Sequence, residues 1–255
     1  MRNPIFFFRP LVRLRIVGSE NLTALKDEPV VLVCNHRFIY GPIAALFNIP
    51  IVFRPWVDSV MLTRRQCRSL ISDKFRYLLF CFGSLRNRVV DWITAIVMQF
   101  LGSFNPIPVY KGSENIMLTL NQSVDSLLEG KNLLIFPEHP RTDYPSILKE
   151  WFMAKHLRTF YCGFARIGEM YYERTGNRLA FVPVYINRWR HTIHIAPAIY
   201  YNKTNDISGY HPMSYLPSHM QGTNPADYKN ISSRLYNTMR TMSTHCGGYS
   251  LLRQI

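Results

Sequence analysis

The sequence predicts an α/β fold: one domain spanning residues 1–255, with a largely parallel or mixed sheet flanked by helices. Three observations predict it. Short apolar, β-branched runs recur at Pro29–Cys34, Asn132–Phe136 and Ala180–Ile186, and runs that are apolar throughout suit strands buried on both faces. Segments with apolar residues at helical spacing lie between these runs. The 255 residues, 47% hydrophobic and 18% charged, are enough to bury a sizeable core, which argues against wholesale disorder.

The chain opens MRNPIFFFRPLVRLRIVG, where arginines interrupt the apolar residues and no small-residue cleavage site follows, unlike a signal peptide. Two readings stay open for it. Phe6, Phe7 and Phe8 beside arginines suit a segment lying in a lipid headgroup layer, or they are the core side of a first strand. No uncharged apolar run reaches the ~18 residues of a spanning helix. Next comes the strand Pro29–Cys34, and then Gly41-Pro42 opens another element.

From Arg54 to Arg88 the chain carries eight Lys/Arg against Asp58 and Asp73, with Leu70, Leu78, Leu79 and Phe82 interleaved. Val89, Ile93, Ile96, Val97 and Phe100 follow at helical spacing. Residues 54–104 therefore read as a basic amphipathic hairpin that faces an anionic membrane, or as two surface helices with a solvated basic face. Asn105–Val109 is a strand candidate, and Ile116, Leu120, Val124 and Leu127 mark a helix that Gly130 stops. With the strand at Asn132–Phe136 they form a strand–helix–strand unit, which implies a parallel crossover. His191–Ile199 is a further strand candidate. In the C-terminal extension, 200–255, Asn224-Pro225 caps a closing helix whose core face is Tyr228, Ile231, Leu235, Met239 and Met242.

The formal net charge of +14 calls for an anionic partner: nucleic acid, an anionic membrane or a phosphate-bearing substrate. The five cysteines are scattered without a CxxC pair, which fits a reducing compartment and excludes a disulfide framework or a zinc site. No phosphate-binding or dinucleotide glycine fingerprint is present, and no RNA-binding or zinc-finger signature, so nucleic acid is not the expected partner.

Asn35-His36 directly follows the first strong strand, and ligands gather beyond the carboxyl ends of parallel strands. Cys34 and His36 would share a face of an extended strand, but a buried core cysteine accounts for Cys34 better than a nucleophile does. His191 and His194, three apart on a strand, face opposite sides and are poor joint metal ligands. Three more segments bear on His36: Ile107-Pro-Val-Tyr-Lys111, Phe136-Pro-Glu138-His-Pro-Arg141, and Phe181-Val-Pro183-Val-Tyr-Ile186.

In order and approximate spacing, from Val30 to Ile186, these segments resemble the four blocks of the glycerolipid (lysophosphatidate) acyltransferase family. The blocks are NHxxxxD, an apolar run ending in Arg or Lys, FPEGTR, and VPV. The resemblance implies an acyltransferase domain with its core at 30–186, in which His36 takes a proton from an acceptor hydroxyl that attacks an acyl thioester. It implies Asn35, Lys111, Glu138 and Arg141 as substrate-binding residues, with Lys111 and Arg141 on the acceptor's phosphate. It also implies acyl-CoA or acyl carrier protein as co-substrate with no cofactor or metal. The acceptor would be a lysophospholipid-like lipid, and the enzyme would sit on the cytoplasmic side of a membrane as a peripheral or monotopic protein.

The sequence departs from the family pattern at three places. The aspartate five residues after the histidine is Gly41, Gly-Thr of the third block is His139-Pro140, and Tyr110 stands where an acid often precedes the basic residue. Either another group orients His36, with Glu138, Asp143 and a main-chain carbonyl as candidates, or the chain is a lipid- or acyl-carrier-binding relative without the chemistry.

Overall fold

The computed structural model describes residues 13–36, 40–76, 80–110, 115–138, 157, 159–201 and 225–245. Among the described residues eight strands make one sheet: β1 (Arg15–Val17), β2 (Val30–Cys34), β3 (Phe53–Asp58), β4 (Ile107–Val109), β5 (Asn132–Ile135), β6 (Ala180–Asn187), β7 (Thr192–Ile195) and β8 (Ile199–Tyr200). Their order is β1-β7-β6-β2-β5-β3-β4, with β8 also on β6. Every pairing is parallel except those of β7 and β8 with β6. The sheet is thus mixed and mostly parallel.

Strict alternation explains why the central strands are apolar throughout. Val31 and Val33 point to one face of the sheet, with Leu133, Ile135 and Phe181. Val30, Leu32 and Cys34 point to the other, with Leu134, Val182 and Val184. Both faces are covered by helices: α1 (Glu20–Thr23), α2 (Tyr40–Asn48), α6 (Ile116–Leu128), α7 (Arg166–Thr175) and α8 (Pro225–His245). Helices α6, α7 and α8 lie on the Val33 face through Leu120, Val124, Leu127, Ile167, Met170, Tyr228, Ile231, Leu235 and Met239. Helices α1 and α2 lie on the Cys34 face through Leu22, Ala44 and Ala45. Of the apolar positions expected for α6, Leu120, Val124 and Leu127 are core positions and Ile116 is not, while those expected for α8 all pack in the core or against it. The β4–α6–β5 unit is a parallel crossover that spans β3.

Three sequence expectations need adjustment. The run His191–Ile199 is two strands, β7 and β8, separated by Ala196-Pro197-Ala198, and His191 sits in the preceding turn with φ 49°. That break accommodates Pro183, which falls where the antiparallel neighbour of β6 changes from β7 to β8 and a ladder donor is not required. Secondly, the basic segment begins as a strand. Arg54 in β3 donates from Nε to the Asn105 carbonyl at 2.7 Å and from Nη1 to Ser126 Oγ at 2.6 Å, so it braces the sheet. Thirdly, the N-terminal stretch, left open between a headgroup segment and a first strand, ends in a strand at Arg15–Val17, for which β7 supplies the partner. The N-terminal phenylalanines and Asn224 lie outside the described residues.

Between β3 and β4 the chain makes the expected helical hairpin: α3 (Ser59–Leu62), α4 (Arg64–Lys74), a 3-10 turn (Phe80–Leu85) and α5 (Arg86–Gly102). Asp58 caps α3 by accepting from the Val60 amide at 3.1 Å. Cys67, Ile71 and Val90 form its small core, and Arg68 pairs with Asp91 across it at 2.6 Å. Phe100 packs on Phe47 of α2 and on Phe104, which stacks on Phe53. No helix among the described residues is long and apolar enough to cross a membrane.

His194 lies opposite Val17 of β1, with its Nε2 3.0 Å from Thr192 Oγ1. Burial, reinforced by Arg15 and Arg190, holds its imidazole below the ordinary histidine pKa. The folded chain therefore binds this proton less readily than the unfolded chain. The stability this gives is present above about pH 6.5 and is lost as pH falls through that value toward the depressed folded pKa. Melting followed by circular dichroism should show Tm falling as pH is lowered through about 6.5, and His194→Gln should flatten that slope.

Candidate functional site

The sheet's topology marks one place for a site. From β2 the chain leaves over the Cys34 face, through α2, towards β3. Between β5 and β6 the described helix α7 lies on the opposite face. Adjacent strands whose connections diverge to opposite faces leave an opening outside their carboxyl ends, where ligands collect in open α/β sheets. The residues at that opening are Asn35-His36 after β2 and Phe136-Pro137-Glu138 after β5.

His36 is exposed there, and its ring meets that of Phe136 edge-on at 5.5 Å between centroids. Asn35 is fully buried beneath it. Its Nδ2 donates to the Ile186 carbonyl at 3.1 Å and its Oδ1 accepts from the Ile186 amide at 2.7 Å. The side chain thus continues the β2–β6 ladder one step beyond its last register pair, Cys34 and Val184. This explains why an asparagine precedes the histidine: it has both a donor and an acceptor for a peptide group. Cys34 is wholly buried and burial pushes its thiol pKa well up, which suits a core residue and not a nucleophile.

On the other side, Glu138 forms an isolated bridge with Phe160, and the Tyr161 amide donates to the Pro137 carbonyl at 2.8 Å. Glu138 is partly buried, and its Oε1 is shielded from solvent. Lys111, Arg141 and Asp143 lie outside the described residues, as do His139 and Pro140.

Gly41, in the first turn of α2, is buried against the histidine's own backbone. A Cβ there would lie 2.1 Å from the His36 carbonyl oxygen and 2.8 Å from the Asn35 carbonyl oxygen. Both are main-chain atoms that cannot swing aside. The glycine is required by this close return of the chain, and a carboxylate at position 41 does not fit the backbone as it stands.

Two residues that sequence reasoning did not single out also stand at this edge. Tyr40 opens α2, and Arg188 follows the last residue of β6, the strand beside β2. The Arg188 guanidinium lies 6.0 Å from the Tyr40 ring centroid and 5.3 Å from that of Trp189. Burial raises the Tyr40 pKa and lowers that of Arg188, while each charge partly opposes the other's shift. The available signal was the cation directly after the Ala180–Asn187 strand, at the carboxyl end of a neighbour of β2.

No protein-family model and no curated protein sequence matches the chain. Among solved structures it is similar to the 1-acyl-sn-glycerophosphate (LPA) acyltransferase PlsC from Thermotoga maritima. The TM-score is 0.54 at 12% sequence identity, over 98% of this chain and 86% of that one. At this identity the likeness is one of fold.

Gly→Ala within a helix ordinarily stabilises by up to about 1 kcal/mol. At Gly41 the overlap with backbone reverses the sign: Gly41→Ala should lower stability by about 2 kcal/mol, and Gly41→Asp by at least as much. Urea denaturation checks this, and a neutral or stabilised Gly41→Ala would show that the loop returns less closely. Asn35→Ala should cost about 2–3 kcal/mol in the same assay, because it strands both polar groups of Ile186.

Proposed function

We propose that the protein transfers a fatty acyl group from acyl-CoA or acyl carrier protein to a hydroxyl of a lysophospholipid-like acceptor at a membrane surface. The observation that carries this reading is the exposed His36 at the carboxyl end of β2, where the β2 and β5 connections part and Phe136 meets its ring. The fold likeness to an acyltransferase and the order of the four sequence blocks support it.

His36 takes the proton of the acceptor hydroxyl as its oxygen attacks the thioester carbonyl. The carbon–sulfur bond then breaks, and the departing thiolate recovers the proton from the imidazolium. Asn35, expected from the resemblance to bind substrate, is fully buried with both ends of its amide on Ile186, and so acts instead as a positioning residue that fixes the backbone of His36. Lys111 and Arg141 bind the acceptor's phosphate, and Glu138 shapes that pocket. With Gly41 in the aspartate's place, the ring is oriented by another group, for which Glu138 and Asp143 are the candidates.

A second reading is favoured by one observation. The lack of room for any Cβ at Gly41 suits a lipid- or acyl-carrier-binding protein that has given up the orienting acid.

Free-thiol release from long-chain acyl-CoA and acyl carrier protein, with and without lysophospholipids, separates the two. Acceptor-dependent release that falls roughly 10²–10⁴-fold in His36→Ala is expected for the enzyme. No release above the variant with any donor or acceptor gives the binding reading.

A further inference from the structure

We infer that the carboxyl edge of the sheet is the rim that meets an anionic phospholipid surface, and that the β6–β7 turn anchors it there through Trp189. This rests on the lipid acyl-transfer reading for its purpose and deepens it by naming the surface that brings His36 to its substrate.

Trp189 is 65% exposed, between Arg188 and exposed Arg190. Its backbone is fixed: Asn187 Oδ1 accepts from the Trp189 amide at 3.0 Å and from the Arg190 amide at 3.1 Å. The turn therefore presents a large ring to solvent in a set position. Indole, with an apolar body and one polar N–H, belongs at the headgroup level of a bilayer, and arginines beside it match anionic headgroups.

On the far side of His36, the helical hairpin leaves from the carboxyl end of β3. It presents Leu70, Phe82, Leu85, Trp92 and Ile96, all exposed. Trp92 and Ile96 lie one turn apart on α5, Leu85 directly precedes that helix, and Trp92 is 67% exposed. Exposed Arg64, Arg65, Lys74, Arg76 and Arg88 lie on the same hairpin. In the order β6-β2-β5-β3, the Trp189 turn and the hairpin root thus flank the two strand ends that carry His36 and Glu138. Apolar rings bordered by cations on both sides of the candidate site match the charge and polarity of an anionic lipid interface.

The experiment is co-sedimentation of the full chain with phosphatidylglycerol–phosphatidylcholine vesicles and with pure phosphatidylcholine vesicles, which needs no catalytic activity. Wild type should prefer the anionic vesicles and be released by salt. Trp189→Ala should weaken binding about tenfold, and Arg188→Ala or Arg190→Ala about fivefold each. Val52→Glu is the control: Val52 is 88% exposed but sits before β3, at the opposite edge, and its variant should bind as wild type. Retained melting curves show that Trp189→Ala, which alters only a solvent-facing side chain, is folded.

Equal binding by Trp189→Ala and wild type overturns the inference, and so does equal loss in Val52→Glu. If Trp189→Ala instead weakens capture of acidic acyl carrier protein while vesicle binding is untouched, the surface belongs to a protein partner. Absent thiol release with Trp189-dependent vesicle binding removes the acyl-transfer reading and leaves the anchor standing.

Discussion

Strand β2 lies between β5 and β6 with both faces covered, and side chains rather than further strand hold its two ends. At its amino end the Val30 amide donates to Asn132 Oδ1 at 3.0 Å, while Asn132 Nδ2 reaches the Val52 carbonyl at 2.8 Å. At its carboxyl end Asn35 grips Ile186 in both directions. Val31, Leu32, Val33 and Cys34 have no solvent exposure. Each such aliphatic side chain contributes about 1.5–3 kcal/mol relative to leaving it in water. The position of His36 follows from this clamped strand, since it is the next residue after the second pin.

That placement has a chemical consequence. A histidine on a mobile loop would sample many orientations. Here the residue before it is locked into the β2–β6 ladder, and five residues later the chain returns so closely that only glycine fits. The backbone around His36 is therefore held twice, once by hydrogen bonds and once by contact. Such rigidity would suit the base proposed for acyl transfer, which has to meet a hydroxyl at fixed distance. It also explains the glycine: the tight return and a carboxylate at position 41 are alternatives, and this chain has the tight return.

The electrostatics fit the same arrangement. Part of the +14 charge is internal bracing, as with Arg54 between Asn105 and Ser126. The exposed cations of α4, of the start of α5 and of the β6–β7 turn stand beside bare aromatic and aliphatic side chains. A solvated basic face alone would not explain why these rings remain uncovered, whereas an anionic interface satisfies both kinds of group.

The sequence by itself determined β2, β5 and β6, because strands covered on both faces must be apolar at every position. It also determined α6 and α8, whose core residues keep a 3.6-residue period. The place of His36, directly after the end of β2, was legible too. Only the tertiary structure decided β1, the β7–β8 break and the strand at Arg54, since these short or charged segments take their form from partners distant in the chain. It alone showed that Asn35 is bound to a peptide 151 residues away, that Gly41 abuts the His36 carbonyl, and that Trp189 is left bare at the carboxyl edge. Local propensity records the period of burial along one segment. Which backbone comes close to which, and which ring is left uncovered, depends on contacts between segments that no local pattern encodes.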